Sequence, residues 1–286
     1  MYKGKLPKKG MFLSTKLKTN TVKASSLVPK KKMDEIVKNF PESKSSVVSA
    51  DLTDVNEYEK ICSKILDRAN GSIDLLVNNA GGTKWNTKTQ TTGVAEFEWN
   101  IRLNLTSCFA LTKFLMPGLE RAKGFSTNIC TYFFVCTDFK NDNTNFFFYS
   151  DGCARSVVNM GSFGAVATIP VLTPYSVAKA GVAHLTRLQA IEFAPKTVRI
   201  NCVQPATVKT QFHRSAGLSE EEARKYYEVS NQMHPIGRVG TCTDVAEVIL
   251  FLADPNKSGW ITGQCITLDG GRSLQAAFTN SQQSKM

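Results

Sequence analysis

Ser156-Val-Val-Asn-Met160, then Thr173 to Phe193, then Val198-Arg-Ile-Asn-Cys-Val203 is the stretch on which the fold turns. Its first and last runs are short and rich in β-branched residues, which predicts strands. The segment between them follows Pro170 and carries Pro174 in its first turn, which predicts a helix. Two strands joined through a helix run parallel. The same alternation continues outward on both sides. Val47 to Ala50, Ile73 to Asn78 and Cys265 to Leu268 read as further strands. Asp54 caps a helix running to Arg68, and Gly93 to Met116 reads as a helix with apolar residues at Phe97, Ile101, Leu105 and Phe109. Ser219 with Glu222 forms a capping box before a short helix, and Thr243 to Ala253 forms the last one. The pattern predicts an α/β fold: a doubly wound, Rossmann-like parallel sheet with helices on both faces.

Two segments leave this rhythm. Residues 1–33 hold ten lysines and no acid, so that of 35 basic residues 25 remain against 24 acidic ones in the rest of the chain. A neutral domain over 34–274 with a basic, unstructured leader over 1–33 and a polar tail over 275–286 is the expected division. The basic groups are not interleaved with aromatics on a folded face, so no nucleic acid is expected as a partner. The second segment, 124–150, is aromatic and asparagine-rich and interrupts what should be a short connection. Its end at Phe146-Phe-Phe-Tyr-Ser-Asp151 can be written in pyrimidine-rich codons closing on CAG, and Gly124-Phe125 can supply a GT. We read it as a retained intron, an assignment that transcript sequencing tests: its presence in most mature messages would refute it.

The eight cysteines form no C-x-x-C pair and have no metal-ligand spacing with His184, His213 or His234, so a metal is not expected. No secretory signal precedes them, which fits reduced thiols, and the sequon at Asn104-Leu-Thr106 reads as chance. No apolar run is long enough for a bilayer, so no membrane is expected.

The chemistry-bearing residues cluster around the opening stretch. Leu172-Thr-Pro-Tyr-Ser-Val-Ala-Lys179 places Tyr175 and Lys179 one turn apart on one helix face. A nearby ammonium stabilises a phenolate, so a tyrosine hydroxyl so placed can trade a proton with a substrate oxygen. Ser162 stands thirteen residues upstream, where a strand ends and a glycine-containing loop begins. In open α/β sheets that edge binds ligands, so its hydroxyl can orient a carbonyl oxygen; the plainer role is a serine capping its own loop.

Asn78-Asn-Ala-Gly81, Asn104, Ser162, Tyr175 with Lys179, and Asn201-Cys-Val-Gln-Pro205 together resemble the successive signatures of the short-chain dehydrogenase/reductase family. Ile261-Thr-Gly-Gln264, Leu268-Asp-Gly-Gly271 and His234-Pro-Ile-Gly-Arg-Val-Gly240 are similar to its 3-oxoacyl-carrier-protein reductase branch. The resemblance implies an oxidoreductase moving a hydride between NAD or NADP and a small-molecule carbonyl or secondary alcohol. It makes Tyr175 the acid–base group, Lys179 its helper and a donor to the nicotinamide ribose, Ser162 the substrate orienter, and Asn104 a helix-interrupting member of a proton relay. Asp51 would hold the adenine amino group with Leu52 beside the ring, while Asn79, Ala80 and Gly81 would lie along the adenine ribose. Pro205 to Thr210 would line the nicotinamide, Val208 through its backbone and Thr210 through its hydroxyl. Ala206 stands where the family usually has glycine. His213, Arg214 and the helix over 219–231 fall where the family covers its substrate, and a homo-oligomer, dimer or tetramer, is implied.

One family element is missing: no G-x-x-x-G-x-G, the turn whose amides hold the cofactor pyrophosphate, occurs in the leader. The sheet is therefore expected to be N-terminally incomplete, with the absent strands belonging between Val47–Ala50 and Ile73–Asn78. The rival reading is a catalytically inactive truncated product, or a pseudoenzyme with an oligomerisation role. The cytoplasm is the expected location, with the peroxisome as alternative because the chain ends Ser284-Lys285-Met286, close to the S-K-L address.

Overall fold

The computed structural model describes residues 9–15, 46–85, 87–122, 131–136 and 155–275. Its strands are β1 (Lys9–Thr15), β2 (Ser46–Ala50), β3 (Leu75–Asn78), β4 (Thr131–Cys136), β5 (Ser156–Met160), β6 (Arg199–Pro205) and β7 (Cys265–Leu268). They form one seven-stranded sheet in the order β2-β1-β4-β3-β5-β6-β7. Every neighbouring pair is parallel.

Side chains alternate across the sheet. Leu76 of β3 and Val157 of β5 join one core, with Ile61 and Ile65 of helix α1 (Tyr58–Arg68) and Leu111 and Leu115 of helix α3 (Ser107–Arg121). Leu75, Val77 and Val158 face the other way and pack on Val245, Ile249 and Leu252. All four residues of β3 are buried, as a strand covered on both faces requires. Helix α3 is preceded by α2 (Val94–Ile101) and a π-helical turn, Arg102–Thr106. The remaining helices are α4 (Thr173–Phe193), α5 (Phe212–Ser215), α6 (Glu220–Gln232), α7 (Cys242–Ala253) and α8 (Pro255–Ser258). The expected capping box is present: Ser219 Oγ accepts from the Glu222 amide at 3.2 Å, and Glu222 Oε2 from the Ser219 amide at 2.7 Å.

Four expectations change. Residues 9–15, read as part of an unstructured leader, form β1; the apolar run Met11-Phe-Leu13 was hidden in a lysine-rich composition. Thr131-Tyr-Phe-Phe-Val-Cys136, read as part of an insert, forms β4, as its aromatic and β-branched content favours. These two strands occupy the place between β2 and β3 that the sequence left empty. Lastly, the apolar stripe read on the long helix points largely outward. Phe97 and Phe109 are exposed and only Leu105 packs on a core cluster, while Asn100, Leu103, Asn104, Ser107 and Leu111, on the opposite side of the helix, are buried. That helix also runs on past Met116 to Arg121, through Pro117. Gly118 lets it lie close to α1, since a Cβ there would stand 2.5 Å from Leu66 Cδ2.

Candidate active site

Parallel strands deliver their C-terminal ends to one edge, and there β3, β5 and β6 hand over to Asn79-Ala-Gly81, Gly161-Ser162 and Ala206 to Thr210. A cavity of about 430 Å³ opens at this edge, lined by Asn79, Ser162, Tyr175, Pro205, Ala206, Val208 and Thr210 among others. These residues, all singled out from sequence, thus share one space with His213, which was singled out too.

Tyr175 sits in the first turn of α4, buried, with its ring 5.5 Å from that of Phe212. One turn on, Lys179 is only 2% exposed. Its Nζ lies 5.6 Å from the Tyr175 ring centroid and donates to the Met160 carbonyl at 2.7 Å, so the ammonium is tied to the end of β5 behind the tyrosine. A buried ammonium needs such partners. Gly81 closes the gap on the other side: a Cβ there would fall 2.8 Å from Asn104 Oδ1 and 3.2 Å from Lys179 Nζ. Asn104 lies in the π-helical turn and is fully buried. Its Oδ1 accepts from the Gly82 amide at 3.0 Å, and its Nδ2 donates to the carbonyls of Gly82 at 2.8 Å and Asn100 at 3.0 Å. The interruption expected at Asn104 is therefore present, and its side chain pins the loop after β3.

Ser162 Oγ accepts from the Gly164 amide at 3.1 Å and so caps its own loop, the plainer of the two roles read for it. That bond uses an oxygen lone pair and leaves the hydroxyl proton free to donate. Val208 bridges to Gly240, but the bonds of that bridge come from Lys209 N–H and Thr207 C=O, leaving Val208's own amide and carbonyl out of it. Ala206 does not adopt positive φ, so the methyl that replaces the family's glycine introduces no strain. Thr210 Oγ1 accepts from the Phe212 amide at 3.1 Å.

The adenine-side residues fit less closely. Asp51 Oδ1 already accepts from the amide and hydroxyl of Thr53, at 2.8 and 2.7 Å. Leu52 is fully buried in the core, so its side chain does not lie at a ligand surface; its carbonyl accepts from the Tyr58 hydroxyl at 2.6 Å. Ala80 is likewise a core residue. Arg214 points to Glu220, 3.7 Å away, and does not line the cavity, in contrast to its expected place over the substrate.

Several residues of the site were not read from the sequence. Trp85, Phe212, Tyr226 and Ile169 form an apolar wall, and Arg272 closes another side. His213, which the resemblance did place over the substrate, is buried among them, with Tyr226 4.5 Å and Tyr227 5.2 Å away between ring centroids. The Tyr227 hydroxyl donates to the Thr210 carbonyl at 2.7 Å, so at 3.1 Å it accepts from His213 Nδ1–H. Burial pulls the His213 pKa down to about 4, leaving a neutral ring at pH 7. Trp85 and Ile169 lie in loops, Phe212 opens α5, and Tyr226 sits on α6 within the segment that the resemblance placed over the substrate; Arg272 directly follows Asp269-Gly-Gly271.

The other signatures hold the site's frame. Asn201 Nδ2 donates to the Ile261 carbonyl at 2.9 Å and Oδ1 accepts from the Gln264 amide at 3.0 Å, clamping 261–264 to β6. In 234–240, Arg238 forks onto Asp244 at 2.7 and 2.9 Å and holds that carboxyl far below the usual carboxylate range.

Sequence profiles agree with this geometry. The profile for short chain dehydrogenase matches residues 17–132 and that for enoyl-(acyl carrier protein) reductase matches 147–273, so that the two together span most of the chain. The chain belongs to the short-chain dehydrogenase/reductase family, whose members are nicotinamide-dependent oxidoreductases. It is 28% identical over 248 residues to a 3-oxoacyl-[acyl-carrier-protein] reductase of Thermotoga maritima, covering 85% of this chain and 84% of that protein. An uncharacterised oxidoreductase of Bacillus subtilis is 29% identical over 84% of this chain and 76% of its own length. Among solved structures, a short-chain dehydrogenase/reductase of unknown function from Caenorhabditis elegans, crystallised with cofactor, is 29% identical with a TM-score of 0.70, over 88% of this chain and 83% of that one.

This chain departs from its family in one respect that the topology sharpens. No glycine occurs between Gly10 and Gly71, or between Gly124 and Gly152, so neither β1 nor β4 is followed by a glycine-rich turn. Among the described residues no helix is long and apolar enough to cross a membrane, and no three His, Cys, Asp or Glu side chains gather into a group that could hold a metal ion. The tail carrying 284–286 lies outside the described residues.

Proposed function

We propose that this chain reduces a carbonyl of the 3-oxoacyl type, or oxidises the corresponding secondary alcohol, at the cavity holding Ser162 and Tyr175. The observation that carries the reading is the stack of Tyr175 over a buried, anchored Lys179 beside a serine with a free hydroxyl proton. A nicotinamide dinucleotide, when bound, supplies or accepts the hydride. Its nicotinamide half suits the uncommitted backbone of Val208 on the cavity wall.

Ser162 donates to the substrate oxygen and fixes its direction. Tyr175 gives its proton to the alkoxide as it forms, and the Lys179 ammonium stabilises the tyrosinate left behind. Refilling that proton runs past Asn104. Its side-chain atoms are taken by Gly82 and Asn100, so the group we assign to the relay is its backbone carbonyl, which also faces the weak thiol donor of Cys108 at 3.5 Å. Turnover of 3-oxoacyl esters at millimolar NADH and NADPH tests the reading. Tyr175→Phe is expected to lower it by about 10²–10⁴-fold with an unchanged melting temperature. Equal rates in the two proteins would contradict it.

A second reading, a chain that folds without turning over, is favoured by the lack of glycine after β1 and β4. Partners and location follow from the same family reading. The exposed Phe97, Phe109, Leu188 and Ile191 support a homo-oligomer through α2, α3 and α4. The cytoplasm is our placement, the peroxisome the alternative carried by Ser284-Lys285-Met286. A fluorescent protein ending in residues 279–286 is expected to stay diffuse; collection in peroxisomes would reverse the order.

A further inference from the structure

Of the residues lining the cavity only two side chains are titratable bases or guanidinium groups, His213 and Arg272, and none is a carboxylate. Burial keeps His213 neutral at pH 7. Arg272 therefore supplies the one formal charge of the cavity wall among the described residues. Its guanidinium lies 5.0 Å above the Phe163 ring, one residue from Ser162, and Nη1 donates to Thr207 Oγ1 at 3.3 Å. These two contacts aim the fork and leave most of its five N–H donors unused.

The nearest acid in sequence is engaged elsewhere. Asp269 accepts from the amides of Gly271 at 3.0 Å and Ser273 at 2.6 Å, building the turn that presents Arg272. No carboxylate among the described residues lies within ion-pair distance of the guanidinium. A half-buried guanidinium facing an apolar cavity without a counter-ion is matched by an anionic, planar ligand group.

We propose that Arg272 binds the carboxylate of the substrate, so that the preferred substrate is a free oxo acid and not its ester or thioester. The inference rests on the carbonyl-reducing reading above. With the reacting oxygen between Ser162 and Tyr175, a carboxylate two bonds from the carbonyl carbon falls toward the guanidinium beside Phe163. The remainder of an apolar chain then lies along Trp85, Phe212 and Tyr226. Electrostatics and geometry both select against an ester here: it has no charge for the fork and only one carbonyl oxygen free to accept.

The test pairs medium-chain 3-oxo acids with their methyl esters, and separately titrates the saturated acid of the same length by calorimetry in the presence of excess cofactor. The unmodified chain is expected to favour the acid at least tenfold in kcat/KM. That ratio should fall at least tenfold in Arg272→Gln, and Arg272→Lys, which keeps the charge without the fork, should recover part of it. Saturated-acid binding, which needs no turnover, should weaken at least tenfold in Arg272→Gln at an unchanged melting temperature. Unaltered binding of the saturated acid, or an unaltered acid-to-ester ratio, would overturn the proposal. If in that case Tyr175→Phe still abolishes turnover of both compounds, the carbonyl-reducing reading survives the loss of this one.

Discussion

The β5-β6-β7 side of the sheet and the β2-β1-β4 side are built from the same parallel ladder, yet they differ in what stands at their strand ends. On the first side β5 leads into Gly161-Ser162, β6 into Pro205 to Thr210, and β7 into Asp269-Gly-Gly271 and Arg272. Each of these segments is held by a side chain: Ser162 Oγ on the Gly164 amide, the Tyr227 hydroxyl on the Thr210 carbonyl, and Asp269 on the amides of Gly271 and Ser273. On the second side β2 leads into Asp51, whose carboxylate is spent on Thr53, and neither β1 nor β4 is followed by a glycine-rich turn. A backbone ladder alone therefore builds the platform of this fold. Ligand binding is written in the turns that leave it.

That contrast can be sharpened within the C-terminal side itself. Neutral His213 gains a proton in the unfolded chain below about pH 6.5 but in the folded chain only near 4, so the unfolded state binds more protons between those values. Stability contributed by His213 is fully present above pH 6.5 and lost as pH falls toward 4, amounting to about 3 kcal/mol at most. Asp244, held ionised by the Arg238 fork, keeps its charge until stronger acid and leaves this window to His213. Melting temperatures from pH 7.5 to 4.5 should fall in the unmodified chain and fall less in His213→Phe; parallel profiles would remove the histidine from the account.

A smaller effect is expected at the clamp. Asn201→Ala leaves the Ile261 carbonyl and Gln264 amide without their partners and should cost about 1–3 kcal/mol in urea unfolding. A loss below about 0.5 kcal/mol would mean that the signature serves something other than holding 261–264.

Local spacing made much of the site legible. Tyr175 and Lys179 share a helix face by periodicity alone, and Ser162 follows a strand whose β-branched run is unmistakable, so both could be placed without contacts. Trp85, Phe212 and Tyr226 could not, because a loop after β3 and two separate helices, α5 and α6, bring them together. Leu52 was misplaced for the converse reason: a residue beside an aspartate at a strand end looks the same in sequence whether it faces outward or into the core. β1 was concealed by composition, ten lysines outweighing one apolar run of three residues, and β4 by the expectation that an asparagine-rich stretch is a loop.

We expect the chain to hold the nicotinamide and substrate while lacking the glycine-turn amides that usually bind the pyrophosphate. Calorimetric titration of NAD and NADP into the chain addresses it directly. A dissociation constant in the millimolar range, with turnover that rises almost linearly with cofactor concentration, is the expected result. Micromolar affinity for either dinucleotide would contradict it and show that another segment of the chain holds the pyrophosphate.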